Sequence, residues 1–430
     1  MDKVYILNQR GQPLMPCSPV KARILLKQGK ARVIKRTPFT VQLTIGTGEN
    51  KQPLMLGVDT GYQNVGLSAM TDKQELFTAE VHLRTNISKL LSERRMYRQS
   101  RRARKTRYRK PRFLNRVRTR HRGWLSPSVQ HKLDSHIKLV QKVHKILPIT
   151  KVVVEVANFD IQKINNPSIH GKDYHCGEQL DFNNVREYVL YRDNHTCQHC
   201  KGKTKDVKLN THHIIPRNKG GTNKPDNLIT LCKTCHNKLH KNEIVLNIKS
   251  KNTFKAETFM SIIRWKIVDR LRELYKDVEI TYGYSTKTLR CNVGLIKSHI
   301  NDSFIIGGGT NQIRSRVQYL VKQVRKQNRK LFKGARSHIK NTASRFMNSF
   351  QRYDKVLHKG IECFIHGRRI TGYFDIRLLN GTKIRSSVKY TNLKLLESFS
   401  TLLWEVNRIP PLDKSRGLLR GRDDTERMDE

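Results

Sequence analysis

Cys197-x-x-Cys200 and Cys232-x-x-Cys235 place four thiols in two tight pairs. Zn²⁺ takes four thiolates tetrahedrally, and a closed set of this kind is structural rather than catalytic. A redox pair would need a thioredoxin-like βαβ context, which this stretch lacks. Between the pairs lie Thr211-His212-His213-Ile214-Ile215-Pro216 and Asn223 to Asn227, and then comes Cys235-His236-x-x-x-His240. His236 and His240 are four apart and share a face on a helix. His212, at the end of a predicted strand, can reach the same ion. A hard or borderline cation held there can bind a scissile phosphate and stabilise the leaving oxygen. His213 points to the other face of the strand and suits a general base, because imidazole titrates near neutral pH. Asn227 either fixes the loop or orients His213 through its carbonyl. Lone histidines are more often surface residues or substitutes in a thiolate site. Four of them inside a Cys-four frame disfavour that reading.

Three acids form a second constellation. Asp59 ends the apolar run Leu54 to Val58. Glu155 stands in the middle of the β-branched run 151–157, where an unpaired charge would be costly. Asp302 lies on a helix predicted over 295–306, with His299 one turn earlier on the same face. Carboxylates can bridge two Mg²⁺ ions about 4 Å apart, one activating water and one stabilising the leaving 3′ oxygen. An acid on a strand is more often an edge residue, so each of the three alone says little.

The elements that must position these residues can be read along the chain. Val4 to Leu7 is a predicted strand, Gln12 to Pro16 a turn and Val20 to Gln28 a short basic helix, followed by strands at 32–34 and 40–45. Asp59-Thr60-Gly61 leads into a second strand, Val65 to Met70. Residues 89–122 hold 16 Lys/Arg and one acid, Glu93. Charge falls all round such a helix, so it cannot bury an ordinary apolar stripe. Its density, with Tyr97, Tyr108 and Phe113 interleaved, points to nucleic-acid contact, and Arg94, Arg95, Arg98, Arg101, Arg102, Arg104, Arg109 and Arg112 are the expected contacts. A polar stretch at 158–182 reads as a linker. A helical pattern follows at 256–276 and a strand at Val278 to Tyr282. Gly307-Gly308-Gly309 lacks the Lys-Ser/Thr of a phosphate loop and reads as a hinge. Residues 310–430 are basic, rich in short strands, and end in a polar tail expected to be disordered.

Composition agrees. The 430 residues suit two to four domains, and 85 Lys+Arg against 35 Asp+Glu give a net charge of +50. That excess repels itself unless a polyanion neutralises it, and counterion release makes nucleic acid the expected one. No apolar run is long enough for a membrane span. Met1 to Gly11 lacks the pattern of a secretory signal, so the chain is expected in the cytosol, with reduced thiols. Cys17, Cys176, Cys291 and Cys363 are read as unpaired structural residues.

Tyr188 to His240 resembles an HNH endonuclease of the ββα-metal type. The resemblance puts a metal ligand on His212, the general base on His213, the middle Asn on Asn227 and the last motif His on His236. His240 matches a ligand found in some members only. Leu56-Gly57-Val58-Asp59-Thr60-Gly61, Val152-Val153-Val154-Glu155 and Lys297-Ser298-His299-Ile300-Asn301-Asp302 resemble, in set and order, a RuvC nuclease with an RNase H fold. By that likeness Asp59, Glu155 and Asp302 bind metal and His299 assists proton transfer. Thr60 and Ser303 depart from the residues common there, Pro and a small apolar side chain.

A RuvC site interrupted by an Arg-rich helix and then by an HNH module is similar to the IscB family, transposon-encoded relatives of the large CRISPR effector nucleases. Pro13-Leu14-Met15-Pro16 matches the motif that names that family's first domain. The resemblance implies an α/β multidomain chain with an RNase H-like core split in sequence: a small α+β PLMP-type module over 1–52, RuvC segments at 53–87, 124–160 and 244–306, and a bridge helix at 88–123. It further implies a linker at 161–182, the ββα-metal HNH domain at 183–243, and a basic β-rich C-terminal domain at 307–430 that binds RNA and reads a target-adjacent motif. The implied activity is RNA-guided DNA cleavage, in which the HNH site cuts the guide-paired strand and the RuvC site the displaced one. Implied with it are Mg²⁺ or Mn²⁺ at both sites, structural Zn²⁺, a structured noncoding guide RNA, a double-stranded DNA target, and a monomeric protein within a prokaryotic cytosolic ribonucleoprotein. An unguided homing or junction-resolving endonuclease and a catalytically silent binding scaffold remain as alternatives.

Overall fold

Ser18 accepts a hydrogen bond from Lys21 N and Pro19 follows it, an N-cap and first-turn proline that start helix α1 (Pro19–Lys27). Around it β1 (Val4–Leu7), β2 (Pro13–Cys17), β3 (Ala31–Lys35) and β4 (Thr40–Leu43) form a sheet of order β2-β1-β4-β3. Val4, Ile6, Leu14, Ala22, Val41 and Leu43 fill its core. The expected turn at 12–16 is instead strand β2. Its prolines are tolerated because β2 is an edge strand, where a missing N–H leaves no ladder bond unmade.

The computed structural model describes residues 3–102, 123–156, 184–204, 206–217, 221, 223, 225–246, 255–325 and 344–408. The protein is a mixed α/β multidomain chain. It divides into two units, Met1–Asn158 with Phe259–Glu430, and Phe159–Thr258.

The first unit is built on β5 (Met55–Thr60), β6 (Asn64–Met70), β7 (Glu75–His82), β8 (Lys151–Glu155), β11 (Val278–Thr281), β12 (Val317–Gln323) and β18 (Leu402–Arg408), in the order β11-β8-β5-β6-β7-β12-β18. Strands β5, β6 and β7 are antiparallel neighbours, while β8 runs parallel to β5 and β11 parallel to β8. Alternation sorts the faces. Leu56, Val58, Leu67, Phe77, Val152 and Val154 join the main core with α3 (Pro127–His144) and α6 (Lys255–Leu274). Each such side chain contributes about 1.5–3 kcal/mol on full burial. Gly57, Asp59, Gly66 and Ser68 point to the opposite face.

That face carries α7 (Gly283–Asn292) and α8 (His299–Ile306). A Cβ on Gly57 would collide with Ser303 O and Gly307 N, and one on Gly66 with His299 O. The two glycines therefore let α8 lie directly on the strand backbones. Helix α8 starts at His299, later than the expected 295, because the Ser298 side chain caps it by accepting from Asn301 N. Gly307 closes α8 against Gly57, so the triplet at 307–309 is a packed helix end rather than a hinge.

Two of the described strands beyond residue 307 belong to this same sheet. Strand β12 pairs with β7 and β18 with β12, so both extend the central sheet. Between them β13 (Lys355–His358), β14 (Ile361–Arg368), β15 (Tyr373–Arg377), β16 (Lys383–Lys389) and β17 (Lys394–Glu397) make a second sheet over a core including Val356, Ile365 and Phe374. The tail from 409 lies outside the described residues, as does the linker at 161–182. Of the scattered cysteines described, Cys363 is buried, while Cys291 is exposed rather than structural.

Helix α2 (Ile87–Arg102) opens the Arg-rich stretch, and none of its described side chains is buried. Arg94, Arg95 and Arg98 are exposed. The backbone of Arg101 and Arg102 continues the helix, while Arg104, Arg109 and Arg112 lie outside the described residues.

In the second unit, Asn184 caps α4 (Val185–Arg192), its Oδ1 accepting from Glu187 N while its Nδ2 donates to Glu187 Oε1. Strands β9 (Leu209–His213) and β10 (Leu228–Cys232) form an antiparallel pair that leads into α5 (Lys233–His240), a ββα unit. Asp193 anchors it by accepting from Thr230 N at 2.8 Å and from Arg192.

Candidate functional site

In the ββα unit His212 leaves β9 towards α5, where His236 and His240 occupy successive turns. The three rings lie 4.5–5.1 Å apart, centroid to centroid. One donor nitrogen from each falls within 4.8 Å of the others. Burial, then the neighbouring His236 and His240, pushes His212 down to about 4. Burial, then His240, lowers His236 as well. Both shifts favour the neutral, metal-binding form of His212 and His236, and the three clustered imidazoles are a donor set that fits a divalent cation.

His213 points away from this cluster. Its Nε2 lies 2.9 Å from Asn223 Oδ1, which also accepts from Arg217 at 3.2 Å. The Oδ1 of Asn227 accepts from Ile215 N at 2.9 Å and its Nδ2 donates to Ile215 O at 3.0 Å, two bonds that tie down the loop. The side chain that meets His213 is Asn223, which no local spacing had singled out.

Cys197, Cys200, Cys232 and Cys235 gather on the other side of the hairpin, with one sulfur from each within 4.8 Å of the rest. Cys232 is also the N-cap of α5, taking Cys235 N–H on its sulfur. Hydrogen bonding from Thr204, foremost, lowers Cys200 to about 6, and burial raises Cys235. Four soft donors at this spacing could hold zinc. Among the described residues, these two clusters are the ones that bring three or more metal-type donors so close together.

The carboxylates sit on the α8 face of the first unit. Asp59 near the end of β5 and Glu155 at the end of β8 are neighbours across a parallel pair, since Val58 faces Val154 and Thr60 Oγ1 donates to Glu155 O at 2.7 Å. Glu155 therefore ends its strand instead of standing in its middle. Helix α8 brings His299 Nδ1 to 2.6 Å from Asp59 Oδ2. Hydrogen bonding to Asp59, foremost, raises the His299 pKa. Asp302 faces Arg290, Nε to Oδ1 2.8 Å, and Glu155 bonds Thr286. Burial, then Asp59, raises Asp302; burial first, with Asp59 and Asp302 adding, raises Glu155. The mutual repulsion places the three acids in one field. They converge less tightly than the histidines, each carboxylate held by a partner on α7 or α8.

Thr286 and Arg290 were not among the expected site residues, and α7 itself was not foreseen. Their spacing of four, which puts both on one helix face, was the available signal.

Two family models match the chain: an RRXRR protein over residues 4–177 and an HNH endonuclease over 197–242. Among curated proteins, anaredoxin of Nostoc sp. is 46% identical over 41 residues, 10% of this chain and 54% of the relative. The type IV methyl-directed restriction enzyme EcoKMcrA of Escherichia coli is 35% identical over 63 residues, 13% of this chain and 22% of that enzyme. The chain thus spans about half or less of either relative. Streptococcus thermophilus Cas9 in complex with an AGGA PAM superimposes with a TM-score of 0.27 at 14% identity, over 43% of this chain and 26% of that one. The same protein with an AGAA PAM gives the same values. The histidine cluster, His213 from Cys197 onward, and the four cysteines all lie inside the HNH match. The chain carries an HNH endonuclease domain, and the chemistry that domain supports is hydrolysis of nucleic-acid phosphodiesters.

Proposed function

We propose that this chain is an RNA-guided DNA endonuclease of the IscB type, with one nuclease centre in each unit. The observation that carries the nuclease reading is the convergence of His212, His236 and His240 beside an outward-facing His213, all within the HNH match. In that centre His213 takes the proton of the attacking water, Asn223 orients its ring, and Asn227 holds the loop between them. The three histidines would hold Mg²⁺ or Mn²⁺, which when bound would supply charge neutralisation at the phosphate and the leaving oxygen. The four cysteines hold Zn²⁺ as a staple.

The second centre is the carboxylate site, read as RuvC. Support comes from the sheet order β11-β8-β5-β6-β7 with β6 antiparallel, the order of an RNase H-like core, and from acids on its first and fourth strands. Asp59, Glu155 and Asp302 would hold Mg²⁺, with His299 positioned to carry a proton at Nδ1. Arg290 and Thr286 keep two of the acids oriented.

RNA guidance rests on the resemblance, the exposed arginines of α2 and the net charge of +50. The Arg-rich stretch would grip the guide–target heteroduplex by its backbone, the PLMP-type module would help hold the structured noncoding RNA, and the C-terminal sheet would read the target-adjacent motif. The HNH centre would cut the guide-paired strand and the carboxylate centre the displaced one, in a monomeric ribonucleoprotein of the prokaryotic cytosol. No helix among the described residues is long and apolar enough to cross a membrane.

The test is purification from a host expressing the native locus, identification of the nucleic acid that travels with the protein, and Mg²⁺-dependent cleavage before and after RNase. Cutting that is lost with the RNA and redirected by a new guide is the expected result. The match to a restriction enzyme over 63 residues favours, as the second reading, an unguided DNA endonuclease. Cutting that survives RNase would select it, and binding without cutting would select a silent scaffold.

A further inference from the structure

Tyr282-Gly283-Tyr284 stand where β11 ends and α7 begins. Tyr282 occupies the N-cap and makes no side-chain cap bond, so helix initiation does not explain an aromatic residue at a position that favours Ser, Thr, Asp or Asn. The rings of Tyr282 and Tyr284 stack with centroids 5.9 Å apart and planes 8° from parallel. Tyr284 is 74% exposed, the outer plate of the pair. A single exposed aromatic residue is ordinary. Two held parallel, with the outer one open to water, form a prepared surface.

Its location is what gives it meaning. Thr281 is in register with Glu155, and a Cβ on Gly283 would stand 3.4 Å from Glu155 Oε1. The same helix sends Thr286 to Glu155 and Arg290 to Asp302. The stacked pair therefore lies at the rim of the carboxylate site, on the element that orients two of its acids. Lys287 is exposed and three residues after Tyr284, so it shares that helix face. An aromatic plate with an adjacent cation matches a nucleotide, base on ring and phosphate on ammonium. Bases within a duplex keep their faces covered by their neighbours, so only an unpaired base can use such a plate.

We infer that Tyr284, backed by Tyr282, is a stacking platform for an unpaired base of the strand cut at the carboxylate site, with Lys287 holding a neighbouring phosphate. This rests on the reading of Asp59, Glu155 and Asp302 as a nuclease centre. It adds that Tyr284 positions that unpaired strand by stacking on one of its bases.

The test uses the full chain with the nucleic acid that co-purifies, comparing Tyr284→Ala, Tyr284→Leu and Tyr284→Trp. One readout is binding of a single-stranded DNA oligonucleotide carrying 2-aminopurine, whose fluorescence quenches on stacking. The other is KM and kcat for the strand whose cleavage Asp59→Ala abolishes. Ala and Leu should both lose the quenching and weaken binding roughly 5- to 150-fold, the range for one base–aromatic stack. Trp should restore both, and kcat should change little. Leu matching wild type would show that bulk rather than stacking matters and would overturn the inference. So would equal KM and undiminished quenching in Ala. If Asp59→Ala leaves both strands cut, the nuclease reading of the site fails instead, a result separable because the quenching assay needs no cleavage.

Discussion

Gly66→Ala tests whether α8 must lie directly on the sheet for the carboxylate site to form. The added methyl would collide with His299 O and stand 2.7 Å from His299 C and 3.2 Å from Ser303 Cβ. Carbon pairs rest at about 3.5 Å or more and the His299 O clash is tighter still, so the start of α8 must retreat by about 1 Å. The obstacle is backbone, which no rotamer change relieves. Overpacking of this kind costs about 1–3 kcal/mol of stability. The effect on chemistry is larger, because the shift acts on His299, which sits 2.6 Å from Asp59, and on Asp302 one turn later. A misplacement near 1 Å costs on the order of 10²-fold in rate. The assay is strand-resolved cleavage of a double-stranded target with each strand labelled separately, together with urea unfolding. The strand assigned to the carboxylate site should be cut about 100-fold more slowly. The other strand should be cut at the wild-type rate, since Gly66 lies outside the ββα unit. Wild-type cutting of both strands with unchanged stability would refute the close-approach reasoning.

Cys232→Ser should release zinc, measured by elemental analysis, and unfold the ββα unit, because it removes a thiol of the staple while a serine there can still cap α5; a folded, zinc-free variant would count against the staple. His213→Ala should leave a nickase cutting through the carboxylate site, and Asp59→Ala the complementary nickase; loss of both cuts in either variant would contradict independent centres. Burial pushes His136 down to about 4, whereas in the unfolded chain it titrates near the ordinary 6.5. The unfolded state then binds the extra proton, so stability falls as pH drops below about 6.5 and the loss levels off below about 4, reaching about 3 kcal/mol. Denaturation midpoints of the wild type and His136→Leu should converge in acid, and parallel profiles would sink the assignment. DNA affinity should fall with salt at a log–log slope of roughly −0.9 per neutralised phosphate, and a flat response would remove the electrostatic account.

What was legible in the sequence was whatever is encoded locally. The cysteine pairs and the four histidines announce themselves because a ββα unit keeps all its donors within one short stretch, Cys197 to His240. Asp59 and Glu155 stand out against β-branched surroundings that only a buried strand tolerates. Helix α7 escaped notice because its buried residues are Thr286 and Arg290. A helix that packs polar side chains against carboxylates has no apolar stripe to betray it. The His213–Asn223 pair escaped because loop geometry, not periodicity, brings them together. The start of α8 was misplaced by four residues because Leu295 and Ile296 look helical, while the Ser298 cap and the Asn301 bond to Ile296 O set the boundary. The return of β12 and β18 to the central sheet joins residues some eighty positions apart, a pairing with no local signature.

That return has a consequence for how the chain can change. The second sheet leaves the first through β12 and comes back through β18, whose first residues are hydrogen-bonded partners: Gln323 faces Leu402, and Val324 N donates to Thr401 O at 2.9 Å. Entrance and exit are thus clasped together by the host sheet whatever lies between them. Lengthening or replacing the inserted stretch adds little closure entropy, which grows only with the logarithm of length. The insert behaves as a cartridge in a socket. A replacement need only preserve the seat where Phe364 and Leu379 meet Leu403 and Leu320, so the surface of the insert can be re-evolved or grafted while the strands that hold the acids keep their register.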